Sequence, residues 1–287
     1  MPETLISDIL KEKLQCSQVR LRRSGTSALN QFQVYDTDRG DFFVKISASR
    51  DFSMLEAEGK GLELMEKTQT VRVPHSYLSG IKDSTAFLII EFLDLRSHTS
   101  QSHEDLGRGL AQMHLHPGPE DYGLDHDNTI GLTPQVNTWT SSWIEFYRTY
   151  RLEFQLRMIE EKYSDTDLLE MAEPLLNRFP DLFAGLEVKP SLLHGDLWGG
   201  NTAALADGTP VVYDPACYYG HHEADLSMTG MFGGFSSYFF SAYHELIPES
   251  PGSAERIKVY QLYHYLNHYL LFGSSYRSAC VDIMRRF

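Results

Sequence analysis

The sequence predicts an α+β chain of two lobes, a small β-rich N-terminal lobe and a larger, mainly helical C-terminal lobe, on three observations. As far as Leu93 most of the strand-like runs of the chain follow one another, with a first and a second helix among them. From about Gln101 onward apolar residues recur at helical spacing instead. No fixed-period repeat, low-complexity tract or Pro/Gly linker lies between the two regimes. The lobes at 1–93 and 94–287 therefore share a seam near Leu93–Arg96, and a cleft between them is the natural place for a ligand.

Leu5, Ile9, Leu10 and Leu14 fall on one face of a first helix. Strand-like runs follow at Gln18–Arg23, Gln31–Thr37 and Asp41–Ser47, the last two joined by Asp38-Arg39-Gly40, a hairpin turn with glycine. Met54, Leu55, Leu62 and Met65 mark a second helix. Ser76–Leu78 and Thr85–Leu93 read as strands, the latter apolar enough to be central. Beyond the seam, Leu106, Leu110 and Met113 share a helical face, and Trp143–Tyr163 reads as one long aromatic-rich helix. Leu168–Phe179 and Tyr260–Leu271 are further helices. One β island interrupts them: Thr202–Leu205, the turn Asp207-Gly208-Thr209-Pro210, then Val211–Tyr213.

Composition narrows the class. Of 287 residues 42% are hydrophobic and 22% charged, the balance of a globular protein with a core. The net charge of −14 argues against a nucleic-acid partner, because counterion release from a polyanion needs cationic protein. The acidic N-terminus, Met1-Pro2-Glu3-Thr4, lacks the basic start of a secretory signal. The uncharged stretch Leu226–Tyr243 is too rich in Gly and Ser for a membrane span and reads as buried interior. Three widely spaced cysteines, Cys16, Cys217 and Cys280, form no disulfide framework and point to a reducing, cytoplasmic setting without a membrane.

The densest chemical signal is His194-Gly195-Asp196-Leu197-Trp198-Gly199-Gly200-Asn201, followed by Asp214 at the end of the short hairpin. Two carboxylates and an amide oxygen make an all-oxygen set, suited to Mg²⁺ shared with substrate phosphates. The spacing Asp-x-x-x-x-Asn, then Asp after a hairpin, is that of a kinase catalytic loop and its metal-binding Asp. Such a site needs a lysine on the third strand, and Lys45 stands in Phe42-Phe43-Val44-Lys45-Ile46. It needs a glutamate on the next helix, for which Glu58 is the candidate and Glu56 its competitor. It needs a hinge strand, and Glu91-Phe92-Leu93 is in place, the backbone of Glu91 and Leu93 facing adenine. A strand lysine or a helix glutamate alone is usually only a solvated charge; their order along the chain lifts them.

Over nearly its whole length the chain resembles the fructosamine kinase (ketosamine-3-kinase, protein-ribulosamine 3-kinase) family, of protein-kinase-like fold. The resemblance rests on the catalytic-loop string and on Tyr213-Asp214-Pro215-Ala216-Cys217-Tyr218-Tyr219-Gly220-His221 with Glu223-Ala224-Asp225-Leu226. Thr133-Pro134-Gln135-Val136-Asn137 with Trp139, and Met231-Phe232-Gly233-Gly234-Phe235, add to it. It implies ATP- and Mg²⁺-dependent phosphorylation of the 3-hydroxyl of ketosamines, free or on glycated protein lysines. The labile 3-phosphate then eliminates and frees the amine. It implies Asp196 as the catalytic base, Asn201 and Asp214 as metal ligands, and Lys45 with Glu58 as the ATP phosphate-positioning pair.

For Trp198 two readings stay open, a platform for the sugar-amine or a core anchor of the loop. His221 and Glu223 line the acceptor pocket in one reading and form caps or salt bridges in the other; Asp225 braces the loop backbone. The chain departs from the family in the loop Ser24–Asn30, which has a single glycine and Ala28 where relatives often carry cysteine. His264 and His268, at the spacing of a zinc pair, lack the glutamate a zinc protease places after the first histidine. His114 and His116 fit a helix C-terminus. The rival functions are another small-molecule kinase of the same fold, acting on an aminoglycoside, choline or a sugar, and a catalytically silent binding protein. The intact set Lys45, Asp196, Asn201 and Asp214 argues against silence.

Overall fold

Residues 2–26, 31–47 and 52–287 are described by the structure, a computed structural model. Helix α1 (Pro2–Lys13) buries Ile6, Ile9 and Leu10 against one face of an antiparallel sheet, where they meet Tyr35, Val44 and Ile89. The sheet is formed by β1 (Val19–Thr26), β2 (Gln31–Thr37), β3 (Gly40–Ser47), β4 (Ser76–Lys82) and β5 (Thr85–Glu91), in the order β1-β2-β3-β5-β4. The expected β2–β3 hairpin is present, Thr37 opposite Gly40. Strand β4 runs four residues past its expected end, because Asp83 and Ser84 both take left-handed backbone and close a tight hairpin without glycine.

Side chains of β3 alternate across the sheet. Phe42, Val44 and Ile46 point to α1, which leaves Phe43 and Lys45 facing the other way. On β5, Phe87 and Ile89 join the α1 side while Ala86, Leu88 and Ile90 join the opposite core. Burial on both faces explains why this central strand reads as a continuous apolar run. The opposite core spans the seam: Leu55, Leu62 and Met65 of α2 (Ser53–Thr68) pack with Leu106 and Leu110 of α3 (Ser100–Leu115) and with Leu197. A backbone bond also crosses it, Val212 N–H donating to Arg72 O (3.0 Å), and just past the seam Arg96 N–H donates to Ala204 O (2.7 Å).

Beyond α3 come the hairpin β6 (Asn128–Ile130) and β7 (Thr133–Gln135), then α4 (Trp143–Tyr147), a π-helical segment Arg148–Glu153 and α5 (Phe154–Tyr163). The expected single helix is thus interrupted, and the interruption carries Arg151. This arginine is fully buried, donates to Val136 O and Asn137 Oδ1 (2.6 Å each) and stacks over the Tyr218 ring at 4.1 Å. Helix α6 (Thr166–Arg178) follows. The catalytic-loop string lies between β8 (Ser191–Leu193) and the hairpin β9 (Thr202–Ala204) and β10 (Pro210–Val212). Strand β11 (Tyr218–Gly220) returns to pair with β8. The remainder is α7 (Glu223–Thr229), α8 (Ser237–His244), α9 (Ser253–Phe272) and α10 (Arg277–Met284). Among the described residues no helix is long and apolar enough to cross a membrane. The stretch expected to be wholly interior is so only in part: α7 and Phe239 are buried, but Phe232, Gly233, Gly234 and Tyr238 are exposed.

Candidate active site

A cleft of about 730 Å³ lies between the lobes. Lys45, Glu58, Glu91, Phe92, Leu93, Asp196, Trp198, Asn201 and Asp214 all line it, so the sheet, the hinge and the catalytic loop converge there. The Lys45 ammonium stands 2.7 Å from Glu58 Oε1 and 2.7 Å from Asp214 Oδ1. Burial works against its charge, but the two carboxylates outweigh burial and raise its pKa. Glu56, the competitor, pairs on the surface with Lys60 one helical turn on. Burial pushes the Glu58 carboxyl up against the pull of Lys45.

At the hinge the expectation needs one correction. Glu91 N–H donates to His75 O (2.9 Å) and Phe92 N–H to Asp41 O (3.0 Å), so both are spent on the sheet. Glu91 keeps only its carbonyl for a base edge, and the Leu93 N–H has no backbone partner among the described residues. The Glu91 side chain is held by Arg72 at 2.5 Å. Of the loop expected over the phosphates, Ser24, Gly25 and Thr26 belong to β1 and pair with Gln33, Phe32 and Gln31. Ala28 and the rest of that loop lie outside the described residues.

The catalytic loop is held through its backbone. Asp225 accepts from His194 N–H (2.7 Å) and Gly195 N–H (2.8 Å), the brace the sequence suggests. Gly195 turns with φ +81°, and a Cβ there would come within 2.1 Å of Ala216 O, so no other residue fits. The His194 ring donates from Nε2 to Tyr213 O (3.0 Å) and accepts Asp196 N–H at Nδ1 (3.2 Å), the tautomer those partners require. His114 and His116 stand at the C-terminus of α3 as expected, and His114 is in addition buried and donates from Nε2 to Asp225 (3.1 Å). Burial alone would raise the Asp225 carboxyl, but His114 and the backbone donors hold it below the usual range.

The Asn201 amide nitrogen donates to Asp196 O (2.9 Å) and Asp196 Oδ2 (3.2 Å), which turns its oxygen away from them. Burial, together with the charge of Asp214, pushes the Asp196 carboxyl up to about 7. Asp214 itself has left-handed backbone, φ +57°. Its Oδ2 and the Asn201 oxygen accept no hydrogen bond among the described residues, so two oxygen ligands are available. That number fits Mg²⁺, which completes its octahedron with phosphate oxygens and water.

Trp198 is exposed in the cleft, so the core-anchor reading fails. His221 and Glu223 are corrected too, for both are buried outside the cleft lining. Glu223 forms a two-pronged pair with Arg256 (2.7 Å each), and His221 Nδ1 accepts from the Tyr260 hydroxyl (2.8 Å). The sequence reading missed Asn128, whose residue lines the cleft and whose amide donates to Cys217 O (2.7 Å). Gln135 and Asn137 both donate to its Oδ1, so the polar run Thr133–Asn137 was the available signal. Cys217 is buried and its thiol is pushed up by burial, which makes it a packing residue.

A two-lobed fold with a lysine–glutamate pair, a carboxylate on a braced loop and an Asn/Asp oxygen set defines a phosphotransferase of the protein-kinase-like class. Comparison narrows the class. The fructosamine kinase family model matches residues 2–287, and the chain belongs to that family. It is 46% identical over 263 residues to "Protein-ribulosamine 3-kinase, chloroplastic" of Oryza sativa subsp. indica, covering 91% of this chain and 76% of the relative. It is 41% identical to the "Ketosamine-3-kinase" of Mus musculus, covering 96% and 98%. Among solved structures, a putative fructosamine-3-kinase from Haemophilus somnus superposes with TM-score 0.86 at 30% identity, covering 98% and 96%. The aminoglycoside phosphotransferase APH(4)-Ia shares the fold, with TM-score 0.64 at 11% identity over 99% of each chain. The chain is an enzyme, a kinase.

Proposed function

We propose that this chain transfers the γ-phosphoryl group of ATP, with Mg²⁺, to the 3-hydroxyl of ketosamines, ribulosamines or fructosamines. The observation that carries the reading is the meeting of Lys45, Asp196, Asn201 and Asp214 on one cleft, with Trp198 exposed two residues from Asp196. The names of relatives at 41–46% identity support the ketosamine as acceptor, over an aminoglycoside, choline or a free sugar.

In this reading residues 1–93 hold the nucleotide and 94–287 the acceptor. Adenine pairs with Glu91 C=O and Leu93 N–H, and Lys45, oriented by Glu58, reaches the phosphates. Asn201 and Asp214 would hold Mg²⁺, which when bound neutralises charge on the phosphate oxygens. Asp196 accepts the proton of the 3-hydroxyl, a task its elevated pKa suits near neutral pH. The Trp198 ring packs on the sugar and its amine. The free, buried cysteines support a reducing compartment, which we take as cytoplasmic, although the plant relatives are named chloroplastic.

ADP release should be measured with ATP, Mg²⁺ and each acceptor class in turn, and the phosphorylated carbon assigned by ³¹P–¹H correlation. ADP with ribulosamine or fructosamine and phosphate on C3 is the expected result. Turnover with an aminoglycoside or choline and none with either ketosamine overturns the reading.

A further inference from the structure

The catalytic loop and the segment after α7 meet through glycines. A Cβ on Gly199 would lie 3.0 Å from Gly233 O, and one on Gly234 would lie 2.8 Å from Gly199 Cα. This close approach sets Phe232 edge-on to Trp198, ring centroids 6.4 Å apart. Ring contacts then continue outward, from Phe232 to His268 of α9 (5.1 Å) and from His268 to Phe272 (5.5 Å) and Tyr276 (5.0 Å). The β6–β7 turn closes on the same end of α9, where a Cβ on Gly131 would meet Leu271 at 2.9 Å; Leu132 stands beside it. Gly131 and Trp198 both line the cleft, so the ridge is continuous with it.

The ridge is apolar and open. Trp198 is 39% exposed, Phe232 44%, Leu132 60% and Phe272 64%. Exposed apolar surface that is contiguous, rather than scattered, marks an interaction site. Cations near its outer end are engaged elsewhere: Lys162 donates to Leu270 O (2.6 Å), and Arg277 pairs with Asp165 (2.6 Å).

We propose that this ridge docks the polypeptide that carries the ketosamine, taking the residues next to the modified lysine. The inference rests on the ketosamine reading above and adds the surface by which a polymeric acceptor is held. A sugar whose hydroxyl meets Asp196 reaches Trp198, and the group on its amine must leave over the cleft rim. Phe272 lies beyond Phe232 and His268, out of reach of the sugar itself. An extended peptide advances about 3.3 Å per residue, so a few residues cover the same path. Flat rings without free charge suit peptide backbone, aliphatic side chains and the lysine stem.

The test compares two acceptors bearing the same sugar, a glycated Nα-acetyl-lysine and a nonapeptide with that glycated lysine at its centre and apolar flanks. Phe272→Ala should lower kcat/KM for the peptide about five- to tenfold, the scale of one aromatic contact. The free ketosamine and the ATP KM should be unchanged. Should that variant melt early, Leu132→Ala makes the same comparison from the other side of the ridge. Equal loss on both acceptors, or no loss on either, overturns the proposal. So does a dimer that Phe272→Ala converts to monomer with peptide kinetics intact, since the ridge would then belong to a second copy. A wild-type enzyme that turns over neither ketosamine fails the functional reading itself, and is distinguished by its inactivity before any substitution.

Discussion

The two walls of the cleft hold their working groups by different means. On the N-terminal wall Lys45 is fixed side chain to side chain, between Glu58 on α2 and Asp214 on the loop after β10. On the opposite wall the loop bearing Asp196 is fixed through its backbone, by Asp225 beneath it and by the His194 ring within it. An ion pair between side chains is open to re-partnering when phosphate arrives. A carboxylate bonded to two backbone N–H groups sets the loop before any ligand binds, which is the condition for electrostatic preorganisation. One wall is built to exchange partners, the other to stay still.

The largest expected effect separates chemistry from that scaffolding. Asp196→Asn is nearly isosteric and removes the proton acceptor, so turnover should fall about 10²–10⁴-fold while the Tm holds. Near-normal turnover by steady-state assay removes Asp196 from the role of base. Acid should next attack the core of the C-terminal lobe. His221 and His264 are buried with folded pKa values depressed by burial, His264 to about 3. The unfolded chain takes up protons that the native state refuses, so their contribution is full above about 6.5 and falls as pH drops. Between pH 7 and 5 the two together should cost about 2–4 kcal/mol, seen as the part of the pH dependence of the urea midpoint that their replacement removes. The raised Asp196 and Glu58 carboxyls act in the opposite direction over the same range, so the check is the difference from the double variant His221→Gln/His264→Gln. A pH dependence that this double variant leaves unchanged contradicts buried neutral imidazoles.

Asp225→Asn tests the brace directly. Its amide cannot accept from both backbone donors, and one is left unpaired at about 1–3 kcal/mol. Stability and kcat should fall together, whereas loss of stability with kcat intact would mean that the loop needs no brace. Glu58→Gln is the mildest expected change, because the amide can still meet Lys45. Loss of its charge should raise the ATP KM about fivefold, roughly 1 kcal/mol, with the acceptor KM unmoved. A larger effect on the acceptor than on ATP would put Glu58 on the wrong side of the cleft.

What the sequence reveals follows this same division. Asp196, Asn201 and Asp214 stand within one short string, and Lys45 and Glu58 fall on adjacent elements whose periodicity is clear. Strand β2 and the β2–β3 turn are legible for the same reason, since alternation and a glycine turn are local signals. His114 meets Asp225 across 111 residues, and Arg256 meets Glu223 across 33; nothing local announces either pairing. Hence Glu223 passes for a pocket residue although its charge is consumed in the core. Strands β8 and β11 are three residues each, too short for alternation to register, and only their pairing defines them. The interruption after α4 is equally silent, because the burial of Arg151 depends on Asn137 and Tyr218.

Asp214 carries a consequence of a different order. A residue with a Cβ held in left-handed backbone gives up about 1–3 kcal/mol, and aspartate is among those that lose least. Glycine there would relax the chain and delete the carboxylate in one step. A population of descendants selected only for yield of folded protein would therefore drift toward glycine at 214, whereas one selected for turnover would keep the acid. With Asp214 in its proposed role as a metal ligand, the position would act as a gauge of selection, glycine marking a lineage that has kept the fold without the transfer.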